Sequence, residues 1–245
     1  DVTSGDGILL YGDSKRLNSG LFYPASLKVW KNGAPTNGDA LLFYGDRSTT
    51  PQYKDYSYTN NTFGGDNDTQ SENTPVTVKM ETNPTKEEAI AGYVNTSGTL
   101  QILCYDGSSW SEEWSATVGG AGGSTRFDIA FERNSGDALI TYSTNTGTTN
   151  ELAYRTKAGS DSCGSGNWSS ESTFDPVRTS GVVQWVEMAS DYRSAQNIIG
   201  AIWADTNSDL SGAIWDGSAW VNEPAAVMNA ALEVVSIAPD GHSFD

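Results

Sequence analysis

One short apolar run recurs along this chain, and its recurrence limits the fold more than any single motif. Residues 5–13 read GDGILLYGD, residues 38–46 GDALLFYGD and residues 136–143 GDALITYS. Looser copies are EAIAGYVN from Glu88 and NIIGAIWAD from Asn197. Their apolar starts are Ile8, Leu41, Ile90, Leu139 and Ile198, and the two middle steps are each roughly fifty residues long. Each run is entered through a turn and is too short for a helix, so it predicts a largely buried strand.

The same parts surround each copy. An edge-like segment precedes it: LKVWKNG from Leu27, VTVKMETNP from Val76, FDIAFERN from Phe127 and WVEMASDY from Trp185. A third strand follows a Gly/Asn/Thr turn: YKDYSYTN from Tyr53, LQILCYDG from Leu100, ELAYRTKAG from Glu151 and LSGAIWDG from Leu210. A fourth segment begins at Trp110, Trp168 and Trp220 in three of the units. Four meandering strands in roughly fifty residues, repeated, predict a β-propeller. The expected blades are residues 26–74, 75–124, 125–182 and 183–231. A fifth would be shared by residues 232–245 and 1–25, making the whole chain one domain of five four-stranded blades. Sharing a blade between the two ends closes a ring and removes exposed strand edges.

Composition agrees. The chain has 26 Gly in 245 residues, and 11% of its residues are aromatic, a mixture suited to short strands and many turns. Its net charge of −17 repels a phosphate backbone and an anionic membrane surface, so nucleic acid is excluded as a partner. No apolar run reaches the roughly 18 residues of a membrane-spanning helix. Few lysines, no Met at position 1 and a Thr-rich polar character predict a secreted or cell-surface protein.

Two stretches repeat a second feature: LCYDGSSW ends at Trp110 and IWDGSAW at Trp220. Asp-Gly between strands is a favoured hairpin, because Gly takes positive φ without a Cβ clash. A turn recurring at the same place in successive units is what a scaffold needs. It is also what a set of equivalent binding pockets needs. Residues 105–120, YDGSSWSEEWSATVGG, resemble the Asp-Gly, Trp, Trp, Gly-Gly segment of sugar-binding propellers, the tachylectin-type and fucose-binding bacterial lectins. That resemblance implies a lectin with several pockets. It assigns ring contacts to Trp110, Trp168 and Trp220 and hydroxyl acceptance to Asp106 and Asp216, with sugar C–H faces stacking on the indoles. The Asp box of sialidase propellers is similar, but here Gly follows Asp directly, one residue early.

Enzyme chemistry finds few residues. His242 is the single histidine, which argues against a Ser-His-Asp triad or a histidine metal site. Glycosidases need an asymmetric carboxylate pair. Yet Asp6, Asp39 and Asp137 fill one repeated slot before the buried strand, as turn caps would. Glu87–Glu88 and Glu112–Glu113 are expected to be solvated. Asp205, Asn207 and Asp209 alternate like the start of a calcium loop, but Leu210 stands where that loop wants Gly, and a plain hairpin is the alternative. Cys104 and Cys163 fall in neighbouring blades, as a disulfide clamp or as two thiols. The expectation is a non-enzymatic extracellular module that binds glycans or cell-surface polysaccharide in adhesion, with no cofactor. The alternatives are a filament or surface-layer subunit assembled through its terminal strands and, behind it, a glycoside hydrolase.

Overall fold

Asn95, Ser143 and Asp205 each end a buried strand with a side chain that reorganises the following turn. Asn95 Oδ1 accepts the amides of Ser97 and Thr99 at 2.9 and 3.0 Å, and Asp205 Oδ1 those of Asn207 and Asp209 at 2.8 and 3.0 Å. Ser143 Oγ accepts the Asn145 amide. These side chains imitate a backbone turn and reverse the chain tightly, so successive strands pair. The computed structural model describes residues 25–29, 39–45, 49–57, 59–69, 71, 73–120, 124–174, 181–191, 196–207, 209–222 and 226–227.

Four antiparallel sheets result among the described residues. The first holds β1 (Ala25–Val29), β2 (Ala40–Tyr44), β3 (Gln52–Ser57) and β4 (Thr62–Phe63), with β5 (Asn67–Asp68) also on β3. The second is β6 (Pro75–Thr82), β7 (Ala89–Asn95), β8 (Thr99–Tyr105) and β9 (Trp110–Thr117). The third is β10 (Phe127–Phe131), β11 (Ala138–Ser143), β12 (Leu152–Lys157) and β13 (Ser172–Phe174). The fourth is β14 (Val183–Ser190), β15 (Ile199–Asp205), β16 (Asp209–Trp215) and β17 (Trp220–Asn222), with β18 (Ala226–Val227) also on β16. The first strands β1, β6, β10 and β14 neighbour one another in succession. That is the arrangement of blades about an axis: the chain folds as an all-β propeller. The expected fifth blade, its closure by the two ends, and His242 lie outside the described residues.

Register makes the blades superimposable position by position. Ala40, Ala89, Ala138 and Ile199 open the second strands, paired with Tyr56, Tyr105, Lys157 and Trp215. All seven residues of β7 and all five of β10 are buried, as strands packed on both faces must be. Three apolar clusters fill the seams. Leu41, Phe43, Met80 and Tyr93 lie between the first and second sheets, and Ile90, Ile102, Phe127 and Ile140 between the second and third. Leu139, Val186, Met188 and Trp203 lie between the third and fourth. Approach is closest at Gly92, where an added Cβ would lie 2.5 Å from the Phe127 ring, so only glycine allows β7 and β10 to meet there. Fully burying each large side chain of these seams contributes about 1.5–3 kcal/mol.

Candidate functional site

The two Asp-Gly hairpins are built alike. Asp106 Oδ1 accepts the amides of Ser108 and Ser109 at 2.9 and 2.8 Å and the Ser108 hydroxyl at 2.8 Å. Asp216 Oδ1 does the same with Ser218 and Ala219, at 2.9 and 2.8 Å from their amides and 2.8 Å from the Ser218 hydroxyl. These bonds hold both carboxylates below their ordinary range. Gly107 and Gly217 adopt φ of 93° and 95°, which forces glycine at both turns. One oxygen of each Asp is therefore committed to its own turn, which is the scaffold role.

The tryptophans behind these turns are packing residues. Trp110 is 4% exposed, its ring 5.4 Å from Phe43, 5.9 Å from Tyr53 and 5.2 Å from Tyr105. Trp168 is 8% exposed and donates its ring N–H to Glu113 at 2.8 Å. The expectation that Trp110 and Trp168 offer ring faces to a sugar is corrected: neighbouring sheets cover both. Trp220 is half-buried and stacks on Phe174 with centroids 5.3 Å apart.

What the first hairpin does border is a cleft. A cavity of about 470 Å³ lies between the first and second sheets, lined by Asp39, Asp55, Tyr56, Glu87, Tyr105 and Gly107, among others. The volume suits a small polar ligand. Burial, then the neighbouring Asp39 carboxylate, pushes the Asp55 carboxyl up. Burial raises the Tyr105 hydroxyl as well, with Asp55 and further acids adding to it. Three carboxylates and two phenols around one cavity can accept and donate hydrogen bonds to several hydroxyls at once. Asp39 and Glu87 were visible in the sequence only as a turn cap and a solvated acid. No local signal tells that a second sheet faces them.

Two other acids are corrected outright. Glu88 is 3% exposed, with Oε2 2.9 Å from Lys157 Nζ and 3.0 Å from Lys86 Nζ. Glu113 is 4% exposed and accepts the Gly164 amide as well as the Trp168 ring. Neither is solvated. Cys104 and Cys163 form a disulfide that joins the second sheet to the loop between β12 and β13. Glu88 and the two sulfurs also cluster within metal-ligand distance of one another, but the sulfurs are bonded together and two lysines occupy the carboxylate. The segment of Asp205, Asn207 and Asp209 is the β15–β16 hairpin, with Asp205 Oδ1 taken by two backbone amides.

No protein-family model matches the chain, and no curated protein matches it. Solved structures do. One is the BP39L lectin from Burkholderia pseudomallei, at 14% identity and a TM-score of 0.55, covering 83% of this chain and 56% of that one. Another is the fucose-specific lectin from Aleuria aurantia, at 13% identity and a TM-score of 0.51, covering 84% of this chain and 62% of that one. The chain thus spans less than two thirds of either lectin's length. At such identities the similarity is one of fold: the chain shares its β-propeller architecture with these two lectins.

Proposed function

We propose that this chain is a non-enzymatic, extracellular carbohydrate-binding module of lectin type, with its ligand seated in the cleft between the first and second sheets. The observation that carries this reading is the lining of that cleft. Carboxylates of Asp39, Asp55 and Glu87 accept sugar hydroxyls, the Tyr56 and Tyr105 hydroxyls donate and accept, and the phenol rings offer apolar edges to sugar C–H groups. A surface of net charge −17 with three acids in the cleft selects neutral over anionic sugars. The lectin neighbours support the class, and the Aleuria protein's fucose specificity makes L-fucose the first monosaccharide to test. The disulfide suits an oxidising, extracellular compartment.

A glycan array probed with the parent and with Asp55→Asn tests the proposal. The parent is expected to bind neutral glycans. The variant loses about tenfold or more in affinity, because a hydroxyl acceptor becomes an amide. An array on which the parent binds nothing, or on which the variant equals the parent, rejects the assignment.

One feature favours a hydrolase instead: Asp55, raised by burial and by Asp39, resembles a general acid beside its partner. Incubation with the bound glycans distinguishes the two. Retention of intact glycan supports a lectin, and release of reducing ends supports a glycosidase.

A further inference from the structure

The triplet Asn-x-Ser/Thr occurs four times, beginning at Asn60, Asn67, Asn95 and Asn167. It is the acceptor sequence for an N-linked oligosaccharide on the asparagine Nδ2, and it can carry one only where a secreted chain leaves it at the surface. The fold treats the four copies differently.

Three are committed to structure. Asn95 ends β7, is 7% exposed, and holds the amides of Ser97 and Thr99 with its Oδ1. Asn67 gives Nδ2 to the Gly65 carbonyl at 3.2 Å, and its Thr69 is buried with the hydroxyl on the Pro51 carbonyl at 2.9 Å. Asn167 gives Nδ2 to the Ser162 carbonyl at 3.0 Å, while Trp168 beside it is buried and Ser169 Oγ accepts the Thr156 amide at 3.0 Å. An oligosaccharide on any of these disturbs bonds that shape its own turn or loop.

Asn60 is the exception. Asn60, Asn61 and Thr62 are all exposed where β3 turns into β4. Other groups fix that turn: Asn61 takes φ of 51° and accepts the Tyr56 hydroxyl at 2.6 Å, and Ser57 Oγ accepts the Asn60 backbone amide at 3.4 Å. Among the described residues, Asn60 Nδ2 and the Thr62 hydroxyl have no hydrogen-bond partner. The same two side chains line the cleft between the first and second sheets, with Asp39, Asp55 and Tyr105.

We propose that Asn60 is an N-glycosylation site and that the oligosaccharide it carries covers the mouth of the cleft. The donor is a lipid-diphosphate-linked oligosaccharide, presented by a transferase of the secretory route. The Asn60 Nδ2–C1 bond forms as the bond from C1 to the diphosphate oxygen breaks. The lipid diphosphate leaves with that electron pair, and Nδ2 gives up one proton. The effect on binding rests on the reading of the cleft as a glycan site. A sugar tethered at its rim has an effective concentration of about a millimolar. If the cleft holds that sugar at about 0.1 mM, the apparent affinity for free glycan falls about tenfold. Modification therefore sets how open the site is.

The test uses the chain secreted from a eukaryotic culture that performs N-glycosylation, with intact mass and glycopeptide sequencing. A glycan is expected on Asn60 and on none of the other three asparagines. Asn60→Gln and Thr62→Ala should lack it, and Thr62→Ser should keep it. An unmodified Asn60, or a glycan on Asn95, overturns the site. Calorimetric titration with methyl α-L-fucoside and methyl α-D-mannoside then compares the glycosylated parent with Asn60→Gln. The variant is expected to bind at least one of them about tenfold more tightly. Equal affinities overturn the covering of the cleft. Binding by neither form rejects the cleft as a glycan site and leaves Asn60 as a modification site without that effect.

Discussion

The seam between the second and third sheets and the seam between the third and fourth are made of the same strands in the same register, yet they are fastened differently. The second of these seams uses what any blade can offer. Trp215 donates its ring N–H to Glu132 at 2.7 Å, the Ser190 hydroxyl bonds the Phe131 carbonyl at 2.6 Å, and Phe174 stacks on Trp220. The first adds a disulfide, the buried Lys157–Glu88 pair at 2.9 Å, and Glu113 bridging the Trp168 ring and the Gly164 amide. The addition has one source. In the third sheet the connection from β12 to β13 runs over residues 158–171, where the second and fourth sheets turn within 106–109 and 216–219. The longer loop brings Cys163 to Cys104 and the Asp161 carbonyl to Lys86, both on the neighbouring sheet's side of the seam. Repeated residues build the blades; an insertion makes one seam unlike the next.

Removing the insertion's fastenings should therefore separate the two seams. Replacing Cys104 and Cys163 by Ala opens a long loop whose closure stabilises by about 4 kcal/mol. Chemical denaturation should show a loss of that order, and hydrogen exchange should rise first in β8, β9 and the 158–171 loop. Equal protection across both seams would contradict the difference. Glu88→Ala should cost somewhat less, about 3 kcal/mol, because Lys157, 1% exposed, is left as a buried charge without its carboxylate. A Tm within error of the parent would show that the pair contributes nothing.

The axis gives the opposite test, since it ought to treat both seams alike. Lys79, Asp128 and Glu187 occupy one register on β6, β10 and β14, with Lys79 Nζ 3.1 Å from Asp128 and 2.7 Å from Glu187. One lysine serves two acids, and burial pushes the Asp128 carboxyl up to about 7. A carboxyl raised in the folded state stabilises below its unfolded value near 3.8, and that contribution is lost as pH rises towards 7. Asp128→Asn should therefore be least favourable relative to the parent below about pH 4 and should gain on it steadily as pH rises through 7 to 8. A stability difference independent of pH would remove Asp128 as the titrating group.

The smallest effects concern the hairpins. Asp106→Ala and Asp216→Ala each lose side-chain bonds to two amides in an exposed turn, and each should lower the Tm only slightly. Their thermal shifts should agree, because the turns are alike. A large difference between them would mean that one does more than reverse the chain.

The residues that sequence reading placed well are those whose neighbours lie within one blade. The GDALLFYGD-type runs and the Asp-Gly turns name their own strand ends, and β2, β7, β11, β15 and both hairpins stand where those runs and turns predict. Cross-sheet partners carry no such mark. Glu88 meets Lys157 only because two sheets pack, and Trp110 is buried for the same reason. Glu113 had a subtler cause. The pairing of β8 with β9 passes from Ile102–Trp114 to Leu103–Glu112, leaving Glu113 as the extra residue of a bulge, which turns it inward. Strict alternation could not anticipate that. The cleft was illegible in turn, since it takes residues from two sheets.

The decisive comparison is between Asp106 and Asp55, one on the repeated turn and the other in the cleft beside it. Calorimetric titration of parent, Asp106→Ala and Asp55→Asn with the best glycan from the array measures both roles. Asp106→Ala should bind like the parent while melting lower. Asp55→Asn should melt at or above the parent, relieved of repulsion from Asp39, while losing about tenfold or more in affinity. If affinity is lost with Asp106 and kept with Asp55, the turn is the binding site and the cleft is not.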